Sequence, residues 1–68
     1  MKSNSLTERE KQVIDELSKG LGYKEIAGKI FISPETVKQH LKNIYRKMGV
    51  RNRMEASLKY MFEMKKIA

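Results

Sequence analysis

The strongest hydrophobic pattern of the chain lies between Ser33 and Gly49. Apolar residues there are spaced by four, three and four positions, so they fall on one stripe of an α-helix. They are Val37, Leu41, Ile44 and Met48. Ser33 is suited to cap the first turn, Pro34 to begin it, and Gly49 to end the helix in the left-handed conformation. The pattern therefore predicts a helix over residues 34–48.

The other side of this helix is polar and mostly basic. Its residues repeat the same spacing or flank it, and they are Glu35, Lys38, Gln39, Lys42, Asn43 and Arg46. A helix that packs with one face and presents Lys, Arg, Gln and Asn on another can contact a polyanion. We therefore expect this helix to read DNA.

Two shorter helices are predicted before it. The segment Thr7-Glu8-Arg9-Glu10 has the form of a capping box, in which the first and last residues bond each other's backbone N–H groups. It predicts a first helix over residues 7–19. A second helix is predicted over residues 23–30, and a turn of three residues joins it to the helix at 34–48. Two helices joined in this way form a helix-turn-helix unit.

A fourth helix is predicted over residues 53–66, and it is apolar on two sides. One stripe consists of Ala56, Tyr60, Met64 and Ile67. The other consists of Met54, Leu58, Met61 and Phe62. A small domain needs only one stripe for its own core, so we expect the second to be buried against another copy of the chain. The alternative is a loosely packed terminal helix with exposed methionines.

Composition adds limits to this pattern. The chain has 68 residues, no cysteine and one histidine. These numbers fit an all-α, four-helix domain over residues 6–68 after a flexible lead-in over residues 1–5. Thiolate and multi-histidine metal sites are excluded within one chain, and we expect no cofactor and no small-molecule ligand. The longest apolar run has three residues, whereas a membrane span needs about 20. No signal peptide is recognised, so a cytoplasmic location without membrane contact is expected.

The net charge of +7 is unevenly placed. Residues 1–34 contain six basic and five acidic residues, while residues 35–68 contain nine basic and three acidic ones. An anionic partner for the second half, such as double-stranded DNA, would explain the asymmetry. A solvated basic surface that aids solubility would explain it equally well.

An enzyme is not expected from these residues. One histidine, no cysteine and no paired acidic cluster leave no catalytic constellation, and a core this small can enclose little substrate. The alternative to DNA binding is a protein-interaction module, in which the Met-rich basic fourth helix docks in a partner's groove.

Several separate blocks of the sequence resemble the LuxR-type (GerE-like) DNA-binding domain. In chain order they are Leu6-Thr7-Glu8-Arg9-Glu10, Lys24-Glu25-Ile26-Ala27, Ile32-Ser33-Pro34-Glu35-Thr36-Val37-Lys38, His40-Leu41, Asn43-Ile44, Lys47-Met48-Gly49-Val50 and Asn52-Arg53-Met54-Glu55-Ala56. The resemblance implies a bacterial transcription regulator whose third helix enters the major groove. It also implies a homodimer, paired through the fourth helix on a pseudo-palindromic site. Family members often carry this domain at the end of a longer chain, and some are free-standing, as this chain would be if it is complete.

Single residues can also be given expected roles, partly from the resemblance and partly from their own chemistry. Lys38, Gln39 and Lys42 match the family's groove-facing positions, where lysine can donate to guanine and glutamine can pair with adenine. Contacts with the DNA backbone are expected from Tyr23, Lys24, Thr36, Asn43, Arg46, Lys47 and Arg53. For any one of these, a solvated surface position is the alternative. For Asn43 and Arg46, the edge of the groove is an alternative contact. The dimer interface is expected to contain Met54, Leu58, Met61 and Phe62.

Some residues near the expected DNA side are better assigned to the fold. Glu35 would repel phosphate, so it either supports the positive N-terminus of its helix or meets a cytosine amino group, and the first is preferred. His40 is expected to be packed and hydrogen-bonded between helices. Arg9 and Glu25 could form a pair linking the first two helices. Gly22 stands where the family often has a capping Ser or Thr.

Overall fold

The computed structural model describes residues 6–67, with side chains described for residues 6–63. Its elements are α1 (Glu8–Ser18), α2 (Tyr23–Ile30), α3 (Pro34–Met48) and α4 (Arg53–Ile67). The all-α, four-helix prediction is confirmed, and the bounds differ by at most one residue at any helix end. The lead-in predicted for residues 1–5 lies outside the described residues, as do the side chains of Met64 and Ile67.

α1 begins with the capping box predicted from sequence. The Glu10 N–H donates to Thr7 Oγ1 over 3.1 Å, and the Thr7 N–H donates to Glu10 Oε1 over 2.9 Å. Two otherwise orphaned backbone donors are thereby satisfied, which fixes where the helix starts.

α2 lacks a capping hydroxyl because its N-cap is Gly22. One half of a capping box is still present, since the Gly22 N–H donates to Glu25 Oε1 over 2.8 Å. α2 ends at Phe31, which has a left-handed backbone with φ 59° and ψ 46°. The Ile32 N–H then donates to the Ala27 carbonyl over 3.0 Å, and this bond closes the turn that leads into α3.

α3 begins and ends at the residues that the sequence indicates. Ser33 Oγ accepts from the Thr36 N–H over 3.1 Å, and Pro34 occupies the first turn. Gly49 ends the helix with φ 71°, a conformation that glycine adopts at little cost. The Val50 N–H donates to the Tyr45 carbonyl over 3.0 Å, so the last turn of α3 is also satisfied.

The core is formed by all four helices around α1. α1 packs against α2, α3 and α4, and α2 also packs against α3. The buried apolar residues are Val13, Ile14, Leu17, Ile26, Ala27, Val37, Leu41, Ile44 and Ala56. The stripe predicted for α3 is therefore its packing face, with Met48 partly buried at the edge. This packing leaves the opposite face of α3 directed outward.

Two side-chain contacts connect helices that are distant in sequence. Lys47 Nζ donates to Glu10 Oε1 over 2.8 Å and joins the end of α3 to the start of α1. The Tyr60 hydroxyl donates to Asp15 Oδ1 over 3.2 Å and joins α4 to α1. Burial raises the pKa of Tyr60, and the Asp15 carboxylate raises it further, so the phenol stays protonated as a donor.

The pairing of Arg9 with Glu25 that the sequence allowed is not formed. Arg9 Nη1 donates instead to the Ile30 carbonyl over 3.3 Å and to Gln12 Oε1 over 3.1 Å. Arg9 thus still connects α1 with α2, but through a carbonyl at the C-terminal end of α2. A cation is favoured there because unpaired carbonyls give that end partial negative charge.

Candidate nucleic-acid interface

The outward face of α3 presents the residues predicted to contact bases. Lys38, Gln39 and Lys42 are all exposed, as is Arg46 one turn further on, while Asn43 is half-buried at the edge. At 1.5 Å of rise per residue, the face from Glu35 to Arg46 is roughly 16 Å long. A helix with such a face fits the major groove of B-DNA, which is about 12 Å wide and admits an α-helix.

The cations of this face have no acidic partner among residues 6–63. Lys38, Lys42 and Arg46 form no ion pair there, whereas four other lysines do. Those paired lysines are Lys11, Lys19, Lys29 and Lys47. The positive charge on α3 is therefore free to meet an external anion, while much of the charge on α1 and α2 is neutralised locally.

The N-terminal end of α3 is held by two hydroxyl groups. Ser33 Oγ and Thr36 Oγ1 are 2.9 Å apart, and Ser33 Oγ also accepts from the Thr36 N–H. Ser33 therefore acts as the cap that the sequence indicates. Thr36 is exposed, and its hydroxyl can form a further hydrogen bond to a phosphate oxygen.

A second group of predicted contacts lies at the start of α2. Tyr23, Lys24 and Arg53 line an open cleft together with Gly22 and Glu25. This cleft places two cationic side chains and a phenol beside one another at a helix N-terminus. Such a set of donors can contact a phosphate on one strand of a duplex.

Arg53 is held in this cleft by the backbone. Its Nη2 donates to the Leu21 carbonyl over 2.8 Å, so α4 is tied to the connection between α1 and α2. Burial raises the pKa of Tyr45, the neighbouring Tyr23 raises it further, and Arg53 opposes both. Tyr45 is partly buried against the core, a position that sequence reasoning missed. The only signal for it in the sequence is its place at the edge of the apolar stripe.

Lys47 stands apart from the other predicted DNA contacts. Its side chain is 29% exposed and its ammonium is bonded to the buried carboxylate of Glu10. Burial raises the pKa of Glu10, but hydrogen bonds from Lys47 and Thr7 and the Lys47 charge together lower it below the ordinary value. The structure therefore gives Lys47 a role inside the fold, and its contact with DNA stays a prediction.

Two further residues lie near α3. Phe31 is 92% exposed in the turn between α2 and α3, although the sequence pattern assigns it only to the turn. Nothing in the sequence indicates its left-handed backbone. His40 is half-buried as expected, but its ring makes no hydrogen bond within the described part of the chain.

The second stripe of α4 lies on the surface. Met54 is 71% and Leu58 61% exposed, and Met61 and Phe62 are exposed beside them. On the other side of the helix, Ala56 is fully buried and Tyr60 is partly buried against the core. The fold thus uses one apolar stripe of α4 and leaves the other outside. None of the helices among the described residues is long and apolar enough to cross a membrane.

Comparison with known proteins identifies the kind of domain. The family model described as bacterial regulatory proteins, luxR family, matches residues 4–59. Among the curated proteins, the nitrate/nitrite response regulator protein NarP of Escherichia coli is 46% identical over 56 residues, covering 82% of this chain and 26% of NarP. The transcriptional regulatory protein LnrK of Bacillus subtilis is 51% identical over 53 residues, covering 78% of this chain and 24% of LnrK.

A third relative extends the comparison. The transcriptional regulatory protein UhpA of Escherichia coli is 43% identical over 54 residues, covering 79% of this chain and 28% of UhpA. The chain thus spans about a quarter of the length of the curated relatives it matches. The resemblance read from the sequence blocks is confirmed by these matches.

Proposed function

Since the chain belongs to the luxR family of bacterial regulatory proteins, we propose that α3 enters the major groove of its DNA site. Membership makes it a DNA-binding domain of transcription regulation and not an enzyme. The observation that supports the role of α3 is its outward face, on which three exposed cations have no acidic partner among residues 6–63. Opposite them, Val37, Leu41 and Ile44 are buried, so the helix can present this face without disturbing the core.

Within this proposal, the contacting residues fall into two groups, those that meet base edges and those that meet the DNA backbone. Lys38, Gln39 and Lys42 contact base edges, because lysine can donate to guanine and glutamine can pair with adenine. The residues assigned to the sugar-phosphate backbone are Tyr23, Lys24, Thr36, Asn43, Arg46, Lys47 and Arg53. Backbone contacts fix the register of the protein on the duplex and carry no sequence information directly. Lys47 is the weakest member of this set because of its bond to Glu10.

The second part of the proposal is a homodimer formed through α4. Met54, Leu58, Met61 and Phe62 form an exposed apolar stripe on a helix whose other stripe contacts the core. Pairing through a two-fold axis would bury the same stripe on both copies. It would also place two α3 helices against two half-sites, so the DNA site would be pseudo-palindromic. A bacterial cytoplasmic location follows from the same proposal, because the partner is DNA.

Lys42→Ala tests the assignment of α3. The probe is a DNA site obtained by selecting random duplexes with the wild-type protein, and affinity is measured by fluorescence anisotropy. We expect Lys42→Ala to weaken binding about 5- to 150-fold, the range typical of losing a good base contact. Thermal unfolding should be almost unchanged, because Lys42 is exposed and forms no ion pair among residues 6–63.

Lys11→Ala is the matched control. Lys11 is an exposed lysine on α1 whose loss changes the net charge by the same amount. We expect its affinity for the selected site to stay within about twofold of wild type, because the charge of an exposed lysine on α1 that is paired with Glu8 contributes little. If Lys42→Ala binds as tightly as Lys11→Ala, α3 is not the reading helix. If the wild type selects no DNA, the proposal as a whole is wrong.

A further inference from the structure

The outward face of α3 contains one acidic residue, Glu35. It is exposed in the first turn of the helix, four positions before Gln39 and seven before Lys42. These spacings place the three side chains on one side of the helix. Glu35 therefore lies at the N-terminal end of the face proposed to meet base edges.

Glu35 is also the one acidic residue between positions 8 and 55 that has no hydrogen-bond or ion-pair partner within the described residues. Every other acidic side chain from residue 8 to residue 55 accepts a hydrogen bond or forms an ion pair within the described residues. These residues are Glu8, Glu10, Asp15, Glu16, Glu25 and Glu55. The fold thus places its other carboxylates in internal contacts and leaves that of Glu35 directed to solvent.

The start of α3 does not need this carboxylate as a cap. Ser33 already accepts from the Thr36 N–H, and Pro34 has no N–H to satisfy. What remains for Glu35 is the general attraction between an anion and a helix N-terminus, which is weak at an exposed position and is screened by salt. Capping therefore leaves the placement of Glu35 on this face unexplained.

A carboxylate on the groove face restricts which base can lie opposite it. In the major groove, guanine presents only acceptors, N7 and O6, and thymine presents the acceptor O4. Adenine presents the N6 amino donor next to the acceptor N7, and cytosine presents the N4 amino donor alone. A carboxylate accepts hydrogen bonds and cannot donate them, so cytosine is the base that it accommodates best.

We propose that Glu35 is a specificity-determining residue that accepts a hydrogen bond from cytosine N4 at the base pair nearest the start of α3. The same carboxylate repels the acceptors of guanine and thymine at that position. It also weakens binding to DNA in general, because it lies near phosphates when no amino group is opposite it. This inference rests on the proposed entry of α3 into the major groove.

The test measures base preference at every position of the selected site. Each base pair is replaced in turn by the other three, and the relative affinities are obtained by competition with wild-type protein and with two variants. Wild type should prefer cytosine at one position per half-site by about tenfold over guanine or thymine. Glu35→Ala should remove the preference at that position alone and should bind the disfavoured sites more tightly than wild type.

Glu35→Gln gives a second, independent result. Glutamine both donates and accepts, and it can pair with N6 and N7 of adenine. The preference at this position should therefore change from cytosine to adenine, while preferences elsewhere stay as in wild type. This variant keeps the length of the side chain, so it remains informative if Glu35→Ala unfolds.

Glu8→Ala is the matched control. Glu8 is also an exposed acidic residue in the first turn of a helix, and its loss raises the net charge equally. The base preferences of the Glu8→Ala variant should equal those of wild type. If Glu35→Ala keeps the wild-type preference at every position, as Glu8→Ala does, the inference is wrong, whereas the entry of α3 is tested separately by Lys42→Ala. If the wild type binds no selected DNA, the proposed function and this inference fail together.

Discussion

At the scale of single residues, the pair formed by Glu10 and Lys47 connects the start of α1 with the end of α3. Glu10 is 4% exposed, and its Oε1 accepts from both Lys47 Nζ and the Thr7 N–H. These contacts stabilise the ionised carboxylate more than burial destabilises it, so the pKa of Glu10 is lowered. Since the folded state holds the carboxylate ionised, it binds a proton there less readily than the unfolded state does.

The lowered pKa of Glu10 predicts a loss of stability in acid. Its contribution is fully present above the unfolded-state pKa of about 4.3 and is lost as the pH falls through the lower pKa of the folded state. The free energy of unfolding of wild type, measured by urea titration from pH 7 to pH 2, should therefore fall more steeply below about pH 5 than that of Glu10→Gln.

An exposed carboxylate controls for the other acidic groups. The free energy of unfolding of Glu8→Gln should fall with decreasing pH as steeply as that of wild type, because Glu8 forms only an exposed contact of 3.8 Å with Lys11. Lys47→Met should lower the free energy of unfolding at pH 7 by about 1–3 kcal/mol, because it removes a partner of a buried acceptor. Equal slopes for wild type and Glu10→Gln would contradict a stabilising role for the pair.

Replacing Phe31, unlike replacing Lys47, should not lower the free energy of unfolding. Its left-handed backbone costs a bulky residue about 1–2 kcal/mol, and its exposed ring gains little from the fold. Glycine would relieve that strain at an entropic cost of about 0.5–1 kcal/mol. Phe31→Gly should therefore leave the free energy of unfolding unchanged or raise it by up to about 1 kcal/mol, as measured by urea titration.

A buried residue provides the comparison for Phe31. Ile14→Ala should lower the free energy of unfolding by about 2–5 kcal/mol, because Ile14 is fully buried in the core. If Phe31→Gly were destabilised to a similar degree, the ring would have to contribute to the packing of the folded state.

At the scale of elements, α4 packs against the core with one apolar stripe and leaves its other apolar stripe exposed. Ala56 and Tyr60 fix it against the core, and Tyr60 also donates to Asp15 on α1. Lys59 Nζ donates to the Met48 carbonyl over 2.6 Å, which links α4 to the C-terminal end of α3. A surface formed by the outer stripe of α4 would therefore have a defined position relative to the proposed reading helix.

The double variant Leu58→Glu plus Met61→Glu tests the proposed dimer. Four carboxylates would face one another across a two-fold interface, so pairing should be lost while each copy still folds. The number of protein copies bound to a duplex with two half-sites is measured by sedimentation, with wild type and variant at equal concentrations. We expect two copies for wild type and one copy for the double variant.

Lys11→Glu controls for charge in this experiment. It changes the net charge by the same two units on the exposed surface of α1, and it should sediment as wild type does. If the double variant still binds as a pair, α4 is not the interface. If the wild type binds as a single copy, the proposed dimer is wrong.

The caps and stripes of the helices could be predicted because they depend on residues close in sequence. Thr7 with Glu10, and Ser33 with Pro34, mark helix starts that the structure confirms. Contacts between helices could not be predicted in the same way. The partner of Arg9 is a carbonyl at Ile30, and nothing in the sequence gives the distance between those two groups.

The outward face of α3 could be predicted for a related reason. The helical period that buries Val37 and Leu41 directs Gln39 and Lys42 away from the core, so the pattern alone assigns both faces. The cleft at Tyr23 and Arg53 depends on how α4 returns to the start of α2, which no local pattern specifies. The same limit applies to Lys47, whose buried partner lies 37 residues away.

At the scale of the whole molecule, charge is concentrated where the DNA is proposed to lie. The net charge is +7, with most of the excess in the second half of the chain. Cations that contact phosphates displace counterions, so the logarithm of the binding constant should fall linearly with the logarithm of salt concentration. The slope should be about −0.9 for each phosphate neutralised.

Single variants can separate phosphate contacts from other charges. Arg46→Ala and Lys24→Ala should each reduce the steepness of the salt dependence by about 0.9 per half-site. Lys11→Ala should leave it unchanged, since Lys11 lies on α1 beside Glu8. The measurement is a series of anisotropy titrations between low and moderate salt. Slopes equal to wild type for both Arg46→Ala and Lys24→Ala would contradict their assignment to the DNA backbone.

The two sides of α4 have a consequence for how the protein would respond to its own abundance. Ala56 lies in the core and Leu58 lies outside it, so folding and the proposed pairing would be separate equilibria. If copies associate only on a DNA site with two half-sites, the occupancy of that site, while it is low, is proportional to the square of the free protein concentration. A twofold rise in concentration would then raise occupancy about fourfold. In this way an exposed methionine- and leucine-bearing stripe would make occupancy of the DNA site respond more steeply to expression than binding of single copies would.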